Sequence, residues 1–160
     1  MELVTGTPTD VEALLSALDD VAAEYGVVAQ AFDARYVAGR RHLQRAVDLA
    51  ARERSRGEAI ADDPAMEALL YAAGRRQIDR ALAMGATTDG PAVVVVAGTR
   101  EAEAADAVRA LDAFDAHPAA LGDDATLREF FEVGGAELAA ADGDLAGLVR
   151  ERVALLVVER

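Results

Sequence analysis

The chain alternates short apolar runs with amphipathic stretches, and the two periods together predict a mixed α/β fold. "ELVT" at the start reads as a strand. Behind Thr9, in capping-box spacing with Glu12, Leu14, Leu15, Leu18, Val21, Ala22 and Tyr25 keep a helical period that Gly26 stops. Residues 27–37, "VVAQAFDARYV", mix β-branched and aromatic side chains and read as a strand. From Gly39 to about Arg54, a second helix places Leu43, Ala46, Val47 and Ala50 on one face.

Asp63 caps a third helix, with Pro64 in its first turn and Met66, Leu69, Leu70 and Ala73 as its buried stripe. Gly74 interrupts it, and a fourth helix carries Ile78, Ala81 and Leu82 as far as Gly85. The run from Pro91 to Val96, "PAVVVV", is charge-free and β-branched, the pattern of a central strand. Thr99 begins a helix with Glu101 and Glu103 near its positive end, and Asp124 begins another bearing Leu127, Phe130 and Phe131. The ending reads as a helix to about Val153, then a strand from Leu155 to Val158. The expectation is one domain over residues 1–160, a small mixed sheet of about four strands packed with six or more helices.

Composition changes this picture in two ways. All 16 basic residues are arginine and none is lysine, against 29 acids and a net charge of −13. Dense carboxylate without lysine suits a protein in concentrated salt, where the Debye length falls to ~3 Å at about 1 M. Cysteine is absent, which excludes disulfides, thiolate zinc sites and a cysteine nucleophile. There is no bilayer-length apolar run and no basic-then-apolar leader, so a cytoplasmic protein without membrane contact is expected.

Positive charge is concentrated where the rest of the chain is acidic. Residues 35–80 hold ten of the arginines and seven acids. On the second helix Arg41, Arg45, Arg52 and Arg56 share a face opposite the apolar stripe, which makes them either a solvated face or contacts for an RNA backbone. Arg75 and Arg76 follow Gly74 in what reads as the first turn of the fourth helix. Unpaired N–H groups there favour an anion, and basic side chains oppose the helix dipole unless one arrives. Gln77 adds a donor and an acceptor, and Ile78 an apolar surface. The set suits a phosphate beside an unpaired base; the competing reading is an internal salt bridge to Asp62, Asp63 or Glu67.

"RHLQRAVDLA", "DDPAMEALLYAAGRRQIDRALAMGA" and "GPAVVVVAG" resemble the kinase-binding regulatory subunit of the KEOPS complex, whose animal relative is the PRPK-binding protein. The likeness covers residues 25–98 well. Its most specific part is the block G-x-R-Q-I, here Gly74, Arg75, Arg76, Gln77 and Ile78. The lysines usual in archaeal members are arginine here or lost. The resemblance implies a non-enzymatic subunit, and neither a cofactor nor a metal is expected. It would bind the small atypical kinase/ATPase of the complex and help present tRNA to the sugar-kinase-like catalytic subunit. That assembly places threonylcarbamoyl on the adenosine next to the anticodon. The resemblance also implies binding of the 3′ CCA end of tRNA, with Gly74 to Ile78 as the matched site.

Two other readings are weighed against this one. An enzyme finds little support: no P-loop or Schiff-base lysine exists, and neither His42 nor His117 has a partner at metal-ligand spacing. The alternative is a small nucleotide-responsive regulatory or protein–protein adaptor domain without RNA binding. For it "VVVVAGTREAEAADAV" would hold a phosphate at Gly98–Thr99, although Glu101 and Glu103 would repel the anion.

Overall fold

The computed structural model describes residues 1–158, which fall into two compact units. The first unit comprises Met1–Ala34 and Gly85–Ala120. It holds β1 (Glu2–Pro8), α1 (Val11–Tyr25), β2 (Val28–Asp33), β3 (Ala92–Ala97), α5 (Glu101–Arg109) and β4 (Phe114–Ala116). The second comprises Arg35–Met84 and the described residues from Leu121 onward. It holds α2 (Arg40–Ser55), α3 (Pro64–Ala73), α4 (Ile78–Ala81), α6 (Asp124–Phe130), α7 (Gly135–Ala140) and α8 (Leu145–Val158).

In the first unit the strands run in the order β2-β3-β1-β4. The valine-rich β3 occupies an internal position, and Val93 to Val96 are fully buried, as the charge-free run predicts. Every pairing is antiparallel, so the sheet is not mixed in direction. One face of it, through Val4, Ala29, Ala31, Val94 and Val96, packs with Leu14, Leu18 and Val21 of α1 and with Ala104 and Val108 of α5. Alternate strand residues meeting helical i, i+4, i+7 residues is how a one-sided helical layer buries a sheet. The cap of α1 is Asp10, which accepts from the Ala13 N–H, rather than Thr9, whose hydroxyl reaches the Asp112 carbonyl. β2 ends at Asp33, and residues 34–36, predicted as strand, form a 3-10 turn. β4 was not predicted: its three residues pair with β1 but lack the β-branched composition that marks strands.

In the second unit α2, α3 and α8 pack on one another. From Glu67 to Ala73 α3 is buried on every side, whereas Met66, placed in its stripe by the sequence, is only partly covered. His42 and Leu43 of α2 are buried, as are Val149 and Val153 of α8. The strand predicted at Leu155–Val158 is the last turn of α8. A short apolar run reads alike as strand or buried helix. Here Leu156 is buried while Leu155 and Val158 are exposed, the helical pattern of burial.

Two buried polar groups organise this unit. His42 accepts from the Ala38 N–H at Nδ1 (3.0 Å) and, in the tautomer this requires, donates from Nε2 to the Ala72 carbonyl (2.8 Å). Burial lowers its pKa to about 4; the Ala72 hydrogen bond opposes that shift and Arg150 adds to it. Glu67 accepts from the Ile60 and Ala61 N–H groups (2.9 and 3.0 Å). Arg54 reaches the same carboxylate at 3.5 Å and donates to the Ala61 carbonyl at 2.7 Å. The loop before α3 is thereby fixed by a residue inside it.

Candidate nucleic-acid interface

Gly74 ends α3 in the left-handed region (φ 63°), and the Arg75 N–H returns to the Leu70 carbonyl (3.1 Å). This is the glycine-terminated helix end in which the last carbonyls find donors. A Cβ at Gly74 would also stand 3.1 Å from the Arg152 carbonyl. Arg75 and Arg76 therefore lie in the connection after α3, not in the first turn of the next helix. Gln77 caps α4, which spans only Ile78–Ala81 and is too short to supply the dipole argument. Gly74 does interrupt the helix, but the next one does not start until Ile78, three residues later than a first turn holding Arg75 requires.

The chemistry at this connection is assembled by tertiary contacts. The Arg75 guanidinium lies 5.0 Å from the centroid of the Phe130 ring and donates from Nη2 to the Phe130 carbonyl. Its Nη1 stands 3.5 Å from the Glu132 carboxylate, so the acid it meets is none of Asp62, Asp63 or Glu67. Arg76 is different: its Nε and Nη2 are shielded from solvent with no hydrogen-bond acceptor among the described residues, as is Nε of Arg75. Buried guanidinium donors without partners are costly to leave unsatisfied. Gln77 is exposed with no side-chain cap bond, and Ile78 and Leu82 are 48% and 53% exposed. The connection thus sets an exposed isoleucine two residues from guanidinium donors that have no acceptor among the described residues.

Sequence reasoning missed the aromatic contribution. Phe130 meets Tyr36 edge-on at 5.4 Å and Phe131 at 4.9 Å. Tyr36, Arg75, Arg80, Thr126, Glu129, Phe130 and Glu132 line a cleft of about 340 Å³. A second cavity, about 310 Å³, lies among Gly74, Arg75, Phe131, Glu132, Arg152 and Leu155. Adjacent phenylalanines offered the one available signal: neighbours on a helix point about 100° apart, so Phe130 and Phe131 cannot both face one core. Phe131 takes the core and Phe130 the cleft. From α8, Arg152 braces this wall, donating to the Phe131 and Glu132 carbonyls (3.1 and 3.3 Å) and pairing with Glu137 (2.6 Å).

The arginine stripe of α2 divides. Arg41, Arg45, Arg52 and Arg56 are all exposed, on the face away from the buried Leu43 and Ala46. Arg52 and Arg56 lie 3.3 and 3.4 Å from the buried Glu53 carboxylate, so both are partly committed internally. At the rival site the Gly98 N–H already donates to Glu101 (3.0 Å), filling the position a phosphate would need. Among the described residues no cluster of metal-ligating side chains occurs, and no helix is long and apolar enough to cross a membrane.

The fold is a mixed α/β one, and its second unit carries a cleft of guanidinium and aromatic side chains. The family model for the kinase binding protein CGI-121 matches residues 4–156, and the chain belongs to that family. A search of curated proteins returns no match. Membership extends the likeness first carried by residues 25–98 to nearly the whole chain, and it supports a kinase-binding regulatory role.

Proposed function

We propose that this chain is the non-catalytic kinase-binding subunit of a KEOPS-type tRNA-modifying assembly, acting in the cytoplasm. It binds the small atypical kinase/ATPase and holds the unpaired 3′ CCA end of tRNA for the catalytic subunit to use its substrate. The kinase part rests on the family. The RNA part rests on one observation above the others: Arg76 carries shielded donors with no acceptor among the described residues, close in the chain to half-exposed Ile78. A phosphate would satisfy those donors, and Ile78 with the Phe130 edge would receive bases. Arg41 and Arg45, exposed and without an ion pair among the described residues, would meet backbone phosphates further along the RNA.

In brine counterion release contributes little, so contact with bases must carry the affinity, at ~1–3 kcal/mol for each stacked base. Ile78→Glu is expected to weaken binding of intact tRNA about tenfold while hardly altering binding of tRNA trimmed of its 3′ end. Filter-binding titrations of the two RNAs test this, and equal losses for both would reject the site. Co-purification at high salt tests the assembly: a small kinase and tRNA are expected with the chain.

A further inference from the structure

Glu132 occupies a position that local physics assigns to glycine. It follows the end of α6 with φ 55°, and the next N–H, that of Val133, returns to the Arg128 carbonyl at 2.9 Å. This is the left-handed residue of a helix stop, where any side chain with a Cβ is strained. The side chain is not there for burial, being 73% exposed. Its ion pair is with Arg75, at 3.5 Å. Arg75 and Glu132 are also the two residues that line both the 340 Å³ cleft and the 310 Å³ cavity. The pair is thus the partition between two hollows on either side of the guanidinium.

We propose that the Glu132 carboxylate is an intramolecular stand-in for phosphate, a latch on Arg75 that an RNA end displaces as it enters. This rests on the reading of the cleft as an RNA site and adds to it a built-in competitor. A pair at 3.5 Å whose carboxylate is mostly exposed is weak, so opening costs little. An incoming phosphate can take two guanidinium N–H groups at once, a stronger arrangement than the single long contact it replaces. Swinging Glu132 outward also joins the two hollows, giving room to more of the RNA than either cavity alone.

The test compares the full chain with Glu132→Gln and Glu129→Gln. Glu129 lines the same cleft and is exposed, and no ion pair ties it to Arg75, so it controls for charge removed nearby. The probe is a short single-stranded RNA ending in CCA, followed by fluorescence anisotropy. Glu132→Gln is expected to bind about threefold to fivefold tighter than the parent, and Glu129→Gln distinctly less so. Equal gains from both variants, or no gain from Glu132→Gln, overturn the latch and leave the RNA site standing. If none of the proteins binds the RNA, the RNA reading falls and takes the latch with it.

Discussion

The guanidinium of Arg75 lies over the ring of Phe130, which follows it by 55 residues, and bonds to that residue's own carbonyl. One aromatic residue therefore sets both the height and the direction of the cation. Phe130→Leu is expected to reduce affinity for a single-stranded RNA end by about threefold or more, because cation–π contact and stacking surface are lost together. Anisotropy titration measures it, alongside a melting scan in which the variant stays within a few degrees of the parent.

His42 makes stability fall with acid. Its folded pKa of about 4 lies below the ordinary 6.5, so the unfolded chain binds the extra proton first. The contribution is fully present above pH 6.5 and is lost as pH falls through 4, a total loss of about 3 kcal/mol. Carbon-13 NMR of the imidazole is expected to report His42 neutral at pH 5.5. Urea unfolding at pH 7.5 and 4.5 measures the lost stability.

Removing the Glu67 carboxylate strips the acceptor from two loop N–H groups and leaves Arg54 with only the Ala61 carbonyl on that side. Glu67→Ala is expected to cost about 2–4 kcal/mol. Hydrogen exchange at the Ile60 and Ala61 amides should accelerate well ahead of exchange in α2.

Gly74→Ala meets two penalties together, the left-handed backbone and the Arg152 carbonyl 3.1 Å from the new methyl. A melting temperature lower by about 3–8 °C is expected, the consequence of roughly 1–2 kcal/mol in a chain of this size.

With a net charge of −13, self-repulsion is the main electrostatic burden on the fold. Raising potassium chloride from 0.1 M to 2 M is expected to lift the melting temperature by about 5 °C or more as screening shortens the Debye length. A melting temperature independent of salt would remove the case for adaptation to brine.

Local signals in the sequence carried the helices well. Asp63 with Pro64, and Asp123 before Asp124, mark helix starts because capping is chemistry among near neighbours. The valine run marks β3 because burial on both faces leaves no polar position. What escaped depends on distance along the chain. β4 exists because β1 offers it an edge, and the last turn of α8 is helical because Val153 and Leu156 share a buried face. Of the motif Gly74 to Ile78 only Arg75 lines the cleft, and Tyr36, Phe130 and Glu132 come from other elements, beyond the reach of any local pattern. A helix start expected directly after Gly74 would put Arg75 and Arg76 on a dipole that they do not feel, because α4 begins only at Ile78.

Arg152 gives these parts a mechanical connection. Its side chain is fastened to the backbone on which Glu132 is poised, and its own carbonyl lies against the turn that carries Arg75. Both walls of the cleft thus hang from a single residue of α8, one turn from the exposed Leu155. Anything that grips that end of the helix and shifts it by an ångström moves the floor and the rim together, so a protein bound there would reshape the cleft without touching it.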